Sequence, residues 1–286
     1  MSRQIELSLD PAPSAPGRED ALTDVHSHLV PGVDDGARSP DEALAAVNHL
    51  AASGVRTILA TPHIDASVIH RPEVFSRVQR KVETAWAEVV ERGRERHPGM
   101  SFHLGREIML DTSMPDLEDP RVRLNGGRYV LVEYPRLNIP PASADVLDRI
   151  AARKLVPVVA HVERYFYHGT EEEILGEWRS AGAAFQVNGA SLVGKYGATA
   201  RVLAWELLAR GWVALLASDY HARGETWISE ARSALAERGG EEQERLLWSV
   251  NPQHIVRSEP FEEVPPLARP AEGRWSRLRG IFRGES

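Results

Sequence analysis

The chain has no cysteine. That excludes disulfides, thiolate metal sites and cysteine nucleophiles together. No apolar run approaches the roughly 18 residues that a membrane span needs, so no membrane-spanning segment is expected. Basic residues do not dominate either: 34 Lys and Arg stand against 41 Asp and Glu, a formal charge of −7 with histidine neutral. Phosphate backbones reward a basic surface, so nucleic acid is not an expected partner. Residues 1–20 lack the hydrophobic segment of a signal peptide and include Asp10-Pro11-Ala12-Pro13-Ser14-Ala15-Pro16-Gly17. Residues 1–21 therefore read as a disordered extension, and the cytoplasm is the expected compartment.

What the chain does have is Asp24-Val25-His26-Ser27-His28, with Asp34-Asp35-Gly36 just downstream. A short apolar run leads into the motif and reads as a strand. Residues two apart on a strand leave on one face, so His26 and His28 form either a chelating pair or two surface histidines at a strand end. The rest of the chain decides between these readings.

Apolar runs alternate with helical patterns throughout the 286 residues. Strands are expected over 23–26, 56–60, 101–106, 129–133, 156–160, 184–188 and 213–217, mostly as short runs of the kind buried on both faces. Helices are expected over 40–53, after a Ser39 cap and before Gly54, and then over 71–97, 142–154, 171–181, 198–211, 227–237 and 243–248. Strictly alternating strands and helices imply a parallel sheet, and right-handed crossovers close it into an α/β barrel of about seven strands. The barrel is assigned to residues 22–258. Residues 259–286 read as a Pro- and Arg-containing tail. Within it Trp275, Leu278, Ile281 and Phe282 have the spacing of a short amphipathic helix, or of a frayed terminal one.

The active face of such a barrel lies at the C-terminal ends of its strands. Polar, mostly metal-capable residues follow all seven apolar runs: His26 and His28, then His63, Glu107, Glu133, His161, Asn188, and finally Asp219 and His221, with Asp34 and Asp35 on the first loop. Loops of arbitrary composition would not give that recurrence. Five histidines (26, 28, 63, 161, 221) and four carboxylates (35, 107, 133, 219) exceed what one ion with open positions takes. The set suits two or three divalent ions, and nitrogen and oxygen donors without sulfur favour manganese, iron or zinc. Clustered ions of this kind serve phosphate-ester hydrolysis by metal-bound hydroxide. Arg164, three residues after His161, is the candidate to hold phosphate oxygens, against an ordinary surface role. The remaining histidines (49, 70, 97, 103, 168 and 254) read as structural or peripheral.

These motifs resemble the PHP (polymerase and histidinol phosphatase) superfamily. Within it they are most similar to the bacterial manganese-dependent protein tyrosine phosphatases of capsule and exopolysaccharide gene clusters. The resemblance rests on residues 24–36, on Ala60-Thr61-Pro62-His63, on Ala160-His161-Val162-Glu163-Arg164-Tyr165, on residues 186–197, on Ala217-Ser218-Asp219-Tyr220-His221 and on Asn251-Pro252, and covers about residues 22–257. It implies a PHP-type distorted (β/α)7 barrel with His26, His28, Asp35, His63, Glu107, Glu133, His161, Asp219 and His221 as ligands of a metal cluster. It also implies Arg164 as a phosphate-binding residue. The family often carries a second arginine several residues after the Asp-x-His motif. Here Thr226 stands at that position, and Arg223, only two residues after His221, is the candidate replacement. The implied substrate is the phosphotyrosyl tail of a bacterial tyrosine autokinase that controls capsular polysaccharide synthesis. Without cysteine, such a reaction must run on metals. The oligomeric state stays open.

Three other readings compete. One is a small-molecule phosphatase of the same superfamily, acting on a histidinol-phosphate-like ester. Another is an amidohydrolase-type C–N hydrolase, which also uses His-x-His on a barrel but carries a different group where this chain has Glu133. The third is a non-catalytic regulatory barrel, whose signature would be lost ligands, and all nine are present.

Overall fold

The computed structural model describes residues 21–268. The elements run β1 (Leu22–Asp24), α1 (Pro40–Ala52), β2 (Val55–Ala60), β3 (His63–Asp65), α2 (Ala66–Ile69), α3 (Pro72–Arg96), β4 (Ser101–Leu104), β5 (Glu107–Met109) and β6 (Tyr129–Glu133). They continue with α4 (Ser143–Ala152), β7 (Val156–Val159), α5 (Glu171–Ser180), β8 (Ala184–Asn188), α6 (Gly189–Leu192), α7 (Ala198–Ala209), β9 (Val213–Ala217), α8 (Ile228–Ala236), α9 (Glu241–Arg245) and α10 (Asn251–Arg257). α1 begins as expected, with Ser39 Oγ accepting from Glu42 N at 3.3 Å.

Strand pairing is parallel throughout, in the orders β1-β2-β4 and β3-β5-β6-β7-β8-β9. β3 continues β2 and β5 continues β4, so these segments make the seven expected staves, with the second and third each broken once. The break in the second falls at Thr61-Pro62, where proline has no N–H for the ladder. The break in the third falls at Gly105-Arg106. A Cβ on Gly105 would lie 2.9 Å from Leu124 Cδ2 and 3.1 Å from Leu59 Cδ2, so the narrowed barrel admits only glycine there. The ring closes between β9 and the segment after β1. Ser27 pairs with Tyr220, Asp219 N donates to His26 O at 2.9 Å, and His28 N donates to Tyr220 O at 2.9 Å. Buried Asp24 reinforces the seam by accepting from Ser218 N (2.9 Å) and Ser218 Oγ (2.6 Å).

Alternation along the strands sorts the apolar residues into two layers. Leu59, Tyr129, Leu131, Val158, Leu215 and Ala217 fill the barrel. Ile58, Val130, Val132, Val159, Phe185 and Leu216 face the helices in a larger outer core. Ile255 of α10 joins the inner layer. The expected tail is, in its described part, packed on the barrel: the Phe261 ring lies 4.5 Å from that of Tyr129, Val264 and Leu267 are buried, and Leu267 N donates to Leu208 O at 3.0 Å. The extension over residues 1–20 and the stretch carrying Trp275, Leu278, Ile281 and Phe282 lie outside the described residues. Among the described residues no helix is long and apolar enough to cross a membrane.

Candidate metal centre

The inward register that fills the barrel with apolar side chains also delivers polar ones to its mouth. Leu59 is followed at steps of two by Thr61 and His63, Tyr129 by Leu131 and Glu133, Ala184 by Gln186 and Asn188, and Leu215 by Ala217 and Asp219. His161 breaks this parity, since Val158 and Ala160 already point inward. Its backbone is left-handed (φ 35°, ψ 49°), as is that of Asp219 (φ 51°). Such conformations cost of order 1 kcal/mol or more for residues with a Cβ and need local support. They have it: His161 N donates to Gln186 Oε1 at 2.8 Å and Asp219 N to His26 O at 2.9 Å.

All nine expected ligands come together. They fall into four overlapping groups whose donor atoms lie within 4.8 Å of one another: His28, Asp35, His63 and His221; His26, Glu107 and His161; His26, His28 and Asp219; and His63, Glu107 and Glu133. Glu107 sits at the centre. Its Oε2 lies 3.1 Å from His26 Nε2, 3.2 Å from His28 Nε2 and 3.1 Å from His63 Nδ1, while its Oε1 lies 3.0 Å from His161 Nε2. The floor is buried and the rim open: the side chains of His26, His28 and Glu107 are fully buried, whereas Asp35 is 69% exposed.

Electrostatics at this mouth favour added positive charge. Burial acts to lower His26, but the Glu107 and Asp219 carboxylates outweigh it and lift the imidazole to about 9. Burial likewise acts on His28 and His63, and hydrogen bonds and charge from the neighbouring carboxylates raise both. Burial would raise Glu107 and Asp219, yet the surrounding imidazoles hold both far below the usual carboxylate range.

The outer partners fix which nitrogens are free. His26 Nδ1 faces Gln186 Oε1 at 3.1 Å, and His28 Nδ1 faces Asp34 Oδ2 at 2.8 Å. Both partners are acceptors, so each Nδ1 donates; once the extra proton that the carboxylates favour is given up, the neutral rings present Nε2 as a lone pair, and a cation takes the place of those protons. The two Nε2 atoms then confront each other at 3.3 Å. Glu107 Oε2, beside both, receives no properly aligned hydrogen bond. Lone pairs of three side chains converging on one buried point fit a cation. The donor set fits divalent ions held by nitrogen and oxygen.

Asp34 belongs to the support, not to the converging set. It also accepts from Gly36 N (3.0 Å) and His63 N (3.2 Å). Burial acts to raise it, but these bonds and the one from His28 hold it at about 2. Asn188 Nδ2 donates to Asp219 Oδ2 at 2.8 Å, and Arg164 Nη1 donates to the same oxygen at 2.9 Å. The Arg164 guanidinium lies 4.1 Å over the Tyr196 ring. Arg223 is exposed at the rim, with its guanidinium turned to the carbonyls of Asp35 and Gly36. Thr226 is buried and paired with Ser53 Oγ at 2.8 Å, away from the mouth. Gln186 and buried Glu163, which accepts from Asn188 N and Ser191 Oγ, had no place in the expected site. Register alone would have found Gln186, two residues before Asn188 on the same face of β8.

A parallel barrel of seven staves with a histidine–carboxylate cluster at its C-terminal mouth defines a class of metal-site α/β barrels. More narrowly, the chain belongs to the capsular polysaccharide synthesis CpsB/CapC family, whose model matches residues 22–257. It is 25% identical over 265 residues to the tyrosine-protein phosphatase YwqE of Bacillus subtilis, covering 91% of this chain and 100% of that one. It is 28% identical over 245 residues to the tyrosine-protein phosphatase CpsB of Streptococcus pneumoniae, covering 82% and 98%. A crystal structure from work on these two proteins, described there as metal-dependent tyrosine phosphatases, superposes with a TM-score of 0.72. It is 24% identical and covers 87% of this chain and all of its own. The barrel also resembles that of a β-aspartyl dipeptidase from Fervidobacterium islandicum, with a TM-score of 0.50 at 14% identity, over 86% of this chain and 76% of that one. The family resemblance and the α/β barrel read from the sequence both hold.

Proposed function

We propose that this protein is a metal-dependent phosphatase that removes phosphate from tyrosine. Its natural substrate would be the phosphotyrosyl tail of a bacterial tyrosine kinase controlling capsular polysaccharide synthesis, in the cytoplasm. The observation that carries the reading is the convergence of nine nitrogen and oxygen donors on a mouth that also presents Arg164. His26, His28, Asp35, His63, Glu107, Glu133, His161, Asp219 and His221 would hold two or three divalent ions, manganese first, with iron or zinc as alternatives. When bound, such ions supply a water acidified to act as nucleophile near neutral pH and positive charge for the phosphoryl oxygens.

The chain's own residues do the rest. Gln186 and Asp34 orient the His26 and His28 rings, and Asn188 fixes the carboxylate of Asp219. Arg164 commits Nη1 to Asp219, leaving the remaining N–H groups of its fork for phosphoryl oxygens, where charge accumulates in the transition state. Arg223 holds the loop that carries Asp35, which makes it a positioning residue rather than a second phosphate clamp. The leaving phenol has a pKa near 10, well below that of an alcohol, so its departure asks little of a general acid. The exposed side at Asp35, His63 and His221 gives a protein-borne side chain access.

The test is hydrolysis of a phosphotyrosyl peptide by chelator-stripped protein with Mn²⁺, Fe²⁺, Zn²⁺ or Mg²⁺ added back singly, beside histidinol phosphate. Restoration by Mn²⁺ with preference for the peptide is expected. Preference for histidinol phosphate, or full activity after stripping, would overturn the reading.

A further inference from the structure

Glu163 carries a buried carboxylate that the reaction outlined above does not use. The residue is 1% exposed, and both bonds that its Oε1 accepts come from neutral groups, Asn188 N at 3.1 Å and Ser191 Oγ. Oε2 accepts none. Burying a carboxylate with neutral partners and a spare oxygen costs stability, and an uncharged side chain would cost less. A group that breaks this rule beside a functional site points to work other than stability.

That work is legible in what the carboxylate joins. Glu163 lies in a single 3₁₀ turn after β7, Val162–Arg164, with His161 at its entry and Arg164 at its end. Asn188 ends β8. Asn188 Nδ2 at 2.8 Å and Arg164 Nη1 at 2.9 Å donate to the same oxygen, Oδ2 of Asp219, just beyond β9. Glu163, Asn188, Asp219 and Arg164 thus close a ring of contacts across three neighbouring staves. Two side chains tie the turn to β8. Gln186 holds its entry through His161 N at 2.8 Å, and Glu163 holds it next to Arg164.

We propose that Glu163 is a positioning residue for Arg164: its carboxylate sets the turn against β8 so that Nη1 meets Asp219 and the rest of the fork is left for phosphoryl oxygens. The proposal rests on the phosphatase reading above. Withdrawing the carboxylate leaves Asn188 N and Ser191 Oγ as buried donors without an acceptor. The end of β8 must then shift to find one, and the turn that carries Arg164 loses its tie. A misplacement of about 1 Å costs about 10²-fold where groups must be aligned. The metal donors have other supports, His161 N on Gln186 and Asp219 N on His26 O, so they stay. The effect therefore falls on phosphate binding and turnover and spares the metal.

The test is a double-mutant cycle in the metal-loaded full chain. It is read by kcat/KM for a phosphotyrosyl peptide, by the inhibition constant of orthophosphate and by bound metal. Glu163→Leu is expected to lower kcat/KM and to weaken orthophosphate, each by about tenfold or more, with metal at the wild-type level. Added to Arg164→Met it should cost less than about twofold further, because the group it positions is gone. Glu163→Gln, which keeps an oxygen for the two donors, should recover most of the loss. Glu163→Asp keeps the charge but withdraws it by one methylene, so it should behave as Glu163→Leu does, and it takes that variant's place in the cycle if leucine prevents folding. Additive losses in the double variant, metal lost in step with activity, or wild-type turnover in Glu163→Leu or Glu163→Asp overturns the role. If the wild type cleaves the peptide while the cycle is additive, only the role of Glu163 falls. If it does not cleave the peptide, the phosphatase reading falls and takes that role with it.

Discussion

Replacing Arg164 by methionine separates two roles that its geometry allows. Nη1 lies 2.9 Å from Asp219 Oδ2, and the guanidinium stacks on Tyr196 with a quarter of the side chain exposed. A charge-assisted hydrogen bond contributes about 1.5–3 kcal/mol, or roughly 10- to 150-fold in rate if it forms only in the transition state. Single donors aimed at developing charge in a largely buried site are worth about 10²–10³, and the floor beneath Arg164 is buried. Arg164→Met is therefore expected to lower kcat/KM for a phosphotyrosyl peptide by about 10²–10³. Arg164→Lys, which keeps charge but loses the fork and the stack, should recover only part of it. Asp219 keeps Asn188 at 2.8 Å in either variant, so bound metal, counted by elemental analysis, should stay at the wild-type level. Activity above a tenth of wild type in Arg164→Met would refute the clamp. Loss of metal in parallel with loss of activity would show that Arg164 supports Asp219 and not the substrate.

Other perturbations probe the frame around the donors. A divalent ion at about 100 times its dissociation constant binds only the folded chain and adds about 2.7 kcal/mol. Chelation should therefore lower the thermal midpoint by about 5 °C or more, and adding Mn²⁺ should reverse it; a midpoint indifferent to both would speak against a metal at the mouth. Gln186→Leu removes the acceptor shared by His26 Nδ1 and His161 N, and should weaken metal binding about 10- to 100-fold by competition with a chelating dye; unchanged affinity would mean the rings are held by other contacts. Gly36→Ala would set a Cβ 2.0 Å from His28 O, so the turn carrying Asp34 and Asp35 must open. Activity of that variant should fall at least tenfold while circular dichroism stays that of a folded barrel, and wild-type turnover would show that the turn can shift without harm.

That the nine donors would meet was legible because eight of them follow apolar runs and Asp35 lies on the loop after the first, and parallel barrels carry their sites at that end. That the second and third staves resume beyond Pro62 and Gly105 was less legible, because the resumed strands are only His63–Asp65 and Glu107–Met109, and the narrowing against Leu59 and Leu124 that interrupts the third stave is a tertiary contact. Spacing singled out Arg223, but it does not reveal that a left-handed Ala222 (φ 57°) precedes it and that its guanidinium meets the carbonyls of Asp35 and Gly36, which is why the positioning role is proposed only from the structure. His161 is the more instructive case. Strand parity, applied strictly, points it outward, so its presence among the donors depends on a left-handed backbone that no periodicity predicts. The support for that backbone comes from Gln186, which parity does place inward and which also accepts from His26 Nδ1. One amide thus couples the conformation of the fifth stave's histidine to the tautomer of the first stave's. A search for metal donors at strand ends finds both histidines and passes over the group that joins them, because that group is neither a metal donor nor at a strand end, although register places it inward.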